Sequence, residues 1–474
     1  MKLLKWGISA ATAAASVAAN AQWSVIELDG FAARGIDGTA VVGESTSPYT
    51  ALLWQLPGSP VPLHPAGANR SYAYDTHNGT QVGEVVWSAL PHAAHWSGSA
   101  ASYVDLHPAG ALRSVANAVH GSTQGGFAVF DGIQRAGIWS GTPESWVDLH
   151  PTGALSSLIE DVYGDVQVGV ARIDGIYRAG LWNGSSASWT PLHPANASES
   201  IAYGVDAESQ VGFALFNSDH AALWRGSTGS FVDLHPTGAS ASIAYSVWGA
   251  SQAGFAIVES QDHAAYWVSA ADAYTDLHPY LDSRFTESWA YDIWKEPSTG
   301  VSYVTGRAYD GKDSVAVLWR REPDEISPHT LIRRAGNIAT GTVASVAEAD
   351  DVRLEVNPGV VFSTLMSPVQ LEFVGQATAS TATHMSIFIE TAASVSAVQV
   401  VLEAYDYQLS SFIELYRAAS TTSDLQLRFD RTDAARFISP SGEMRIRAGY
   451  RASGPVFSYP WRAKLDWVRW RIMP

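Results

Sequence analysis

Ser230-Phe231-Val232-Asp233-Leu234-His235-Pro236, extended as far as Trp267, decides the fold. Four short runs of strand character lie in this stretch: Ser230–Leu234, Ile243–Val247, Gln252–Val258 and His263–Trp267. Gly, Pro, Ser and Asp separate them, and β-branched and aromatic residues fill them. Four strands of ~6 residues with four connections of ~5 need about 44 residues. A helical solenoid of similar period needs longer runs with fewer breakers.

The stretch is one copy of a repeat. Leu-His-Pro places its histidine at His64, His107, His150, His193, His235 and His278, spaced by 43, 43, 43, 42 and 43 residues. Other columns keep step with it: Ser71, Ser114, Ser157, Ser200 and Ser242; Gln81, Gln124, Gln167, Gln210 and Gln252; Gly83, Gly126, Gly169, Gly212 and Gly254. Each unit closes on a tryptophan: Trp96, Trp139, Trp182, Trp224, Trp267 and Trp319. A degenerate first unit, Val25 to Trp54, brings the count to seven. Four strands per ~43 residues is the signature of a propeller blade, and closure into a ring protects sheet edges. The longest connection runs from His-Pro to the Ser column. The Leu-His-Pro strand is therefore expected outermost and the strand after the Ser column innermost. Val25–Asp29 then completes the seventh sheet, beside the strand ending at Trp319.

After Arg320-Arg321-Glu322-Pro323-Asp324 the period vanishes. Residues 22–324 carry 13 bases and 31 acids, whereas residues 325–474 carry 14 and 15. About eight alternating runs come after it, from Val352–Val356 to Lys464–Ile472, with no helical pattern. The expected fold class is therefore all-β: a seven-bladed β-propeller (22–324) followed by a jelly-roll-like β-sandwich (325–474).

The remaining features bound the function. Lys2 and Lys5, the small apolar run Ile8 to Ala19, and Ala19-Asn20-Ala21 read as a signal peptide (1–21) cleaved after Ala21, so the product is expected to be secreted and extracellular. No later stretch reaches the ~20 apolar residues of a membrane span. The 474 residues hold 46 acids against 29 bases, a net charge of −17, which disfavours nucleic acid and anionic membrane as partners. There is no cysteine, hence no disulfide and no thiolate chemistry.

The tryptophan column recurs in every unit and the histidine, serine and glutamine columns in most, so they read as packing and polar ties rather than a site. One histidine per blade cannot bring three donors to one zinc ion. The small Gly and Ala columns are expected to let neighbouring blades approach. No catalytic motif stands out. Glu160, Asp161 and Asp165 read as a solvated acidic loop. Asp350, Asp351 and Asp466 are candidates for a structural Ca²⁺; no other metal and no cofactor is expected. Features that break the repeat are the better pointers to function. These are Trp87, Trp248, Trp289 and Trp294, taken as candidate ligand-binding residues, since exposed tryptophan suits stacking on sugar rings.

The repeat resembles the bacterial extracellular HAF-repeat family through His92-Ala93-Ala94, His220-Ala221-Ala222 and His263-Ala264-Ala265, with Gln-Val-Gly upstream. The resemblance covers about residues 23–319. It departs where Arg135-Ala136-Gly137 and Arg178-Ala179-Gly180 replace the histidine. It implies export and a propeller-like repeat, and it brings no activity or site residues. The expected function is a non-enzymatic binding or scaffold protein that recognises glycan or extracellular protein. The alternative is a polysaccharide-active enzyme, hydrolase or lyase, using acidic residues in the central funnel.

Overall fold

The ~43-residue period becomes a repeated antiparallel sheet in the computed structural model, which describes residues 23–361, 366–377, 382, 384–453 and 461–473. The expected signal peptide and its cleavage point lie outside these residues. The described chain is all-β, without an α-helix. It separates into two compact units, one spanning Trp23–Glu322 and the other running from Pro323.

The first unit contains seven four-stranded sheets among the described residues. The third is representative, with Ser114–His120, Thr123–Phe130, Ile133–Trp139 and Val147–Asp148 in spatial order. Its hairpin at Asp131-Gly132 holds both residues at positive φ, 50° and 78°. That is the two-residue turn whose twist suits adjoining strands, and it explains Asp-Gly there. The first strands of the sheets are Ala32–Asp37, Arg70–His77, Ser114–His120, Ser156–Tyr163, Glu199–Val205, Ser242–Trp248 and Glu287–Lys295. Each touches the next, and the last touches the first, so the sheets form a closed, propeller-like cycle. The closing sheet takes its fourth strand from the beginning of the unit. Trp23–Leu28 pairs antiparallel with Ser314–Arg321, with Val25 opposite Trp319.

Packing between sheets explains the tryptophan column. Trp54, Trp96, Trp139, Trp182, Trp224, Trp267 and Trp319 are all fully buried. Trp96 sits among Val42, Leu53 and Leu63 of one sheet and Ala73 and Val85 of the next. Each such ring removes roughly 150–250 Å² from water, at most about 4–6 kcal/mol at ~25 cal/mol per Å².

The histidine and serine columns form one inter-sheet tie. Ser114 Oγ accepts the amide of Ala93, in the preceding sheet, at 2.9 Å. It also lies 2.9 Å from Nδ1 of His107, whose Nε2 is 2.9 Å from the carbonyl of Ala111. A carbonyl only accepts, so Nε2 carries the proton and Nδ1 receives the serine hydroxyl hydrogen. Every group is satisfied with the imidazole neutral. His150 with Ser157 and His235 with Ser242 repeat the arrangement. Asp105 Oδ1 accepts the amide of His107, while its Oδ2 is 2.9 Å from Nδ1 of His92. The glutamine column ties each second strand to a later turn, as in Gln81 Oε1 accepting from Gly98 N at 2.7 Å.

The glycine column has a different cause from the expected one. A Cβ on Gly83 would lie 2.0 Å from the carbonyl oxygen of Tyr72, in the same sheet. Gly126, Gly169, Gly212 and Gly254 meet their own first strands at 1.9–2.1 Å. The crowding is within the sheet, not between sheets.

The second unit has two antiparallel sheets. One orders Thr330–Ala335, Val369–Gln376, Glu443–Ala452, Val398–Asp406 and Ser411–Ala419. The other centres on Ala463–Met473, flanked by His384–Ala393 and Leu354–Asn357. Phe373, Ile446 and Leu402 from the first and Ile387, Leu465 and Trp470 from the second share one core.

Candidate functional site

Every innermost strand of the first unit carries a β-bulge at the same place. Pairing slips between Ala73 and Asp75, Ile159 and Asp161, Ala290 and Asp292, and at the matching points of the other four sheets. A bulge leaves one residue unpaired and re-aims it. The extra residues are Arg34, Tyr74, Asn117, Glu160, Tyr203, Tyr245 and Tyr291. They form a ring around the axis. The Arg34 guanidinium lies 4.6 Å from the Tyr291 ring centre. Tyr291 and Tyr245 are 6.0 Å apart, and Tyr245 and Tyr203 are 5.2 Å apart.

The next residue in three sheets is an aspartate that ties its sheet to the following one. Asp75 accepts the amides of Thr76 and Val119, both at 2.7 Å. Asp161 accepts from Val162 at 2.7 Å and Val205 at 2.8 Å, and Asp292 from Ile293 and Ile36 at 2.8 Å. Burial pushes the Asp161 carboxyl up to about 7 and Asp292 up to about 6, against those amide bonds. Burial likewise pushes Asp75 well up, and the charges of Asp161 and Asp292 add to it. These three belong to sheets that are not neighbours, so their mutual influence crosses the axis.

Glu160 is the member of the ring with chemistry to spare. Burial pushes its carboxyl up to about 7. It has no hydrogen-bond partner among the described residues, unlike Asp161 beside it. Tyr203, next in the ring, has its phenol raised by burial first, then by the charges of Glu160, Tyr245 and Asp219. Glu160 and Asp219 thus both act on one phenol through their charges. Asp219 is itself raised by burial, offset in part by His220. Further round, Arg34 holds Glu44 at 2.8 Å, Trp289 Nε1 donates to Asp262 at 3.0 Å, and Arg307 lies 4.0 Å from the Trp289 ring centre. The cup thus offers tyrosine and tryptophan rings, an arginine, and a carboxyl that keeps its proton near neutral pH.

Two expectations need correction here. Glu160 and Asp161 do not lie in a solvated loop: both sit on the innermost strand Ser156–Tyr163, while Asp165 is exposed in the turn after it, as expected. The four candidate tryptophans do not converge. Trp289 alone lines the cup. Trp87, 36 % exposed, stands after Thr80–Val86 and donates to the Tyr103 hydroxyl at 3.4 Å. Trp248 and Trp294 lie at the opposite mouth, 6.1 Å apart. Trp294 is buried and borders a groove of about 570 Å³ with Trp54 and Tyr303. At that mouth they share a strand position with Asp37, His77, His120, Tyr163 and Asp206, so they belong to a column. Several of its members cap the following sheet: Asp37 accepts from Asn78 N at 2.6 Å and His120 Nδ1 from Gly164 N at 3.1 Å.

Asp351 N donates to Asp466 at 3.2 Å, while the Asp351 carboxylate is engaged by Arg353 at 2.7 Å. No cluster of three or more His, Asp or Glu suited to a metal ion occurs among the described residues. No helix among them is long and apolar enough to cross a membrane.

The class the geometry defines is an all-β, propeller-like protein with a charged, aromatic axial cup. No family model matches the chain, and no curated protein matches it. Among solved structures it is similar to a puromycin hydrolase, at 12 % identity and a TM-score of 0.45, covering 70 % of this chain and 59 % of that one. An S511A mutant of puromycin hydrolase gives 10 % identity and 0.43, with 62 % of this chain and 52 % of that chain covered, so this chain spans little more than half of such hydrolases. An oligogalacturonate lyase in complex with manganese gives 10 % identity and 0.42, with 64 % and 91 % covered. The puromycin hydrolase and the lyase are named as enzymes, against the expectation of a non-enzymatic binding protein. Likeness at this level transfers no residue role; any chemistry has to rest on this chain's own groups.

Proposed function

We propose that this chain is a secreted polysaccharide-active enzyme of the HAF-repeat kind. In this reading it is a seven-bladed β-propeller followed by a jelly-roll-like β-sandwich, exported by the signal peptide 1–21. The carrying observation is Glu160: a partnerless carboxyl, held near pH 7 by burial, in a cup of aromatic rings. A general acid works best with a pKa near the operating pH. Aromatic faces complement the C–H faces of sugar rings, and the alternating polar groups complement their hydroxyls.

The reaction is hydrolysis of a glycosidic bond. Glu160 gives its proton to the bridging oxygen as the bond from that oxygen to the anomeric carbon breaks. Water adds its oxygen to the anomeric carbon and loses a proton to Asp219. Tyr203, whose phenol feels both carboxyls, orients the linkage. Paired carboxyl groups with separated roles are the usual means for this reaction.

The test is product formation. The mature chain is incubated with a panel of neutral and acidic polysaccharides, and new reducing ends are measured. Glu160→Gln is expected to lower the rate at least 100-fold, in keeping with the ~10²–10⁴ that general acid–base groups supply. Release at an undiminished rate by Glu160→Gln, or from no polysaccharide at all, overturns the reading.

A further inference from the structure

The outward side of the five-stranded sheet in the second unit gathers positive charge around one buried carboxylate. Arg334 approaches Glu372 with Nε at 3.0 Å and Nη2 at 3.1 Å, Arg445 with Nη2 at 2.7 Å, and Arg447 with Nη2 at 3.1 Å. Burial alone would raise the Glu372 carboxyl, yet the three guanidiniums hold it down to about 2. One negative charge thus fixes three positive ones in place. Glu403 reaches Arg447 at 3.5 Å and offsets one more charge, leaving the cluster cationic.

Aromatic rings complete the arrangement. The Arg447 guanidinium lies 3.5 Å from the Phe412 ring centre, and Arg445 lies 4.9 Å from Tyr405. Phe412 and Tyr405 meet edge to face at 5.0 Å. Nε of Arg445 is a buried donor with no acceptor. The hydrogen bonds of Arg334 and Arg445 to Glu372 leave Nη1 of each free to donate. Guanidiniums held in place in this way present ready charge-assisted donors to an anion. These side chains, with Gln370, Ser410 and Ser411, line an open groove of about 650 Å³.

We propose that this groove binds an acidic sugar, its carboxylate bridging Arg334 and Arg445, its ring against Tyr405 and its hydroxyls on Gln370 and the two serines. The planar fork of arginine matches a carboxylate. A lone inorganic anion would leave the rings and the amide unused. This inference does not rest on the axial chemistry, because it concerns binding to another unit and is read without turnover.

The experiment is calorimetric titration of the full mature chain with tetragalacturonic acid and with the same tetrasaccharide fully methyl-esterified. The acid is expected to bind at least 10-fold more tightly. Arg445→Gln and Tyr405→Leu should each weaken binding at least 10-fold, the second leaving the hydrogen bonds of the three arginines to Glu372 in place. Glu160→Gln should bind like wild type. Equal binding of acid and ester, binding of neither, or binding lost in Glu160→Gln but kept in the groove variants overturns the proposal.

Discussion

His107 and Ser114 form one tie between adjacent sheets: the serine Oγ is 2.9 Å from the imidazole Nδ1 and accepts the Ala93 amide of the preceding sheet. Ser114→Ala strands a buried amide and removes the imidazole's donor. The expected loss is about 1–3 kcal/mol, read as a lower denaturation midpoint with unchanged cooperativity. An unchanged midpoint contradicts the tie.

The same tie makes a pH prediction. Burial lowers the pKa of His107, with the neighbouring His92 charge adding to it. A lowered histidine contributes stability above its unfolded value of ~6.5, and loses it as pH falls through the folded value. His107→Gln should therefore cost less stability at pH 5 than at pH 8. Comparing variant with wild type cancels the axial carboxylates. Their raised values act in the opposite sense, giving stability at low pH that is lost as pH rises toward about 6–7. Imidazole ¹⁵N spectra should show the Nε2–H tautomer at pH 8, and an Nδ1–H tautomer contradicts the assignment.

Gly137 and Trp146 test the sheet surface. A Cβ at Gly137 would lie 2.2 Å from the Trp146 ring, and Gly180 stands in the same relation to Trp189. Where the facing residue is smaller than tryptophan, alanine takes the glycine's place, as with Ala94 near Tyr103. Gly137→Ala should destabilise by about 1–3 kcal/mol through overpacking. Trp146→Phe in the same chain should recover part of that loss, and simple additivity of the two contradicts the contact.

Ring closure by Trp23–Leu28 predicts that deleting residues 23–29 lowers the thermal midpoint and exposes the edge of Ser314–Arg321. The deleted chain should self-associate, as unpaired edges do. A monomer of wild-type stability contradicts the closure.

The architecture was legible because the ties recur. The His, Ser, Gln and Trp columns do the same structural job in most of the sheets, so they repeat in sequence, mostly at 42–43 residues. The strand boundaries of Ser230–Trp267 were read to within a few residues. Thr330–Ala335 was missed, since Arg333-Arg334 interrupts its alternation where the strand bulges. The axial ring was hidden for the opposite reason. Its column lies three residues after the Ser column, and its members are Arg34, Tyr74, Asn117, Glu160, Tyr203, Tyr245 and Tyr291. Shared identity is absent there because each residue faces a common space rather than a repeated neighbour. A large polar residue among small ones, in every unit, was the available signal.

The most direct test is the pH dependence of kcat/KM on a cleaved polysaccharide, compared between wild type and Glu160→Gln. With Glu160 as the proton donor, the wild-type value falls tenfold per pH unit above about 7, and the residual activity of the variant lacks that limb. A falling limb that persists unchanged in Glu160→Gln contradicts the account.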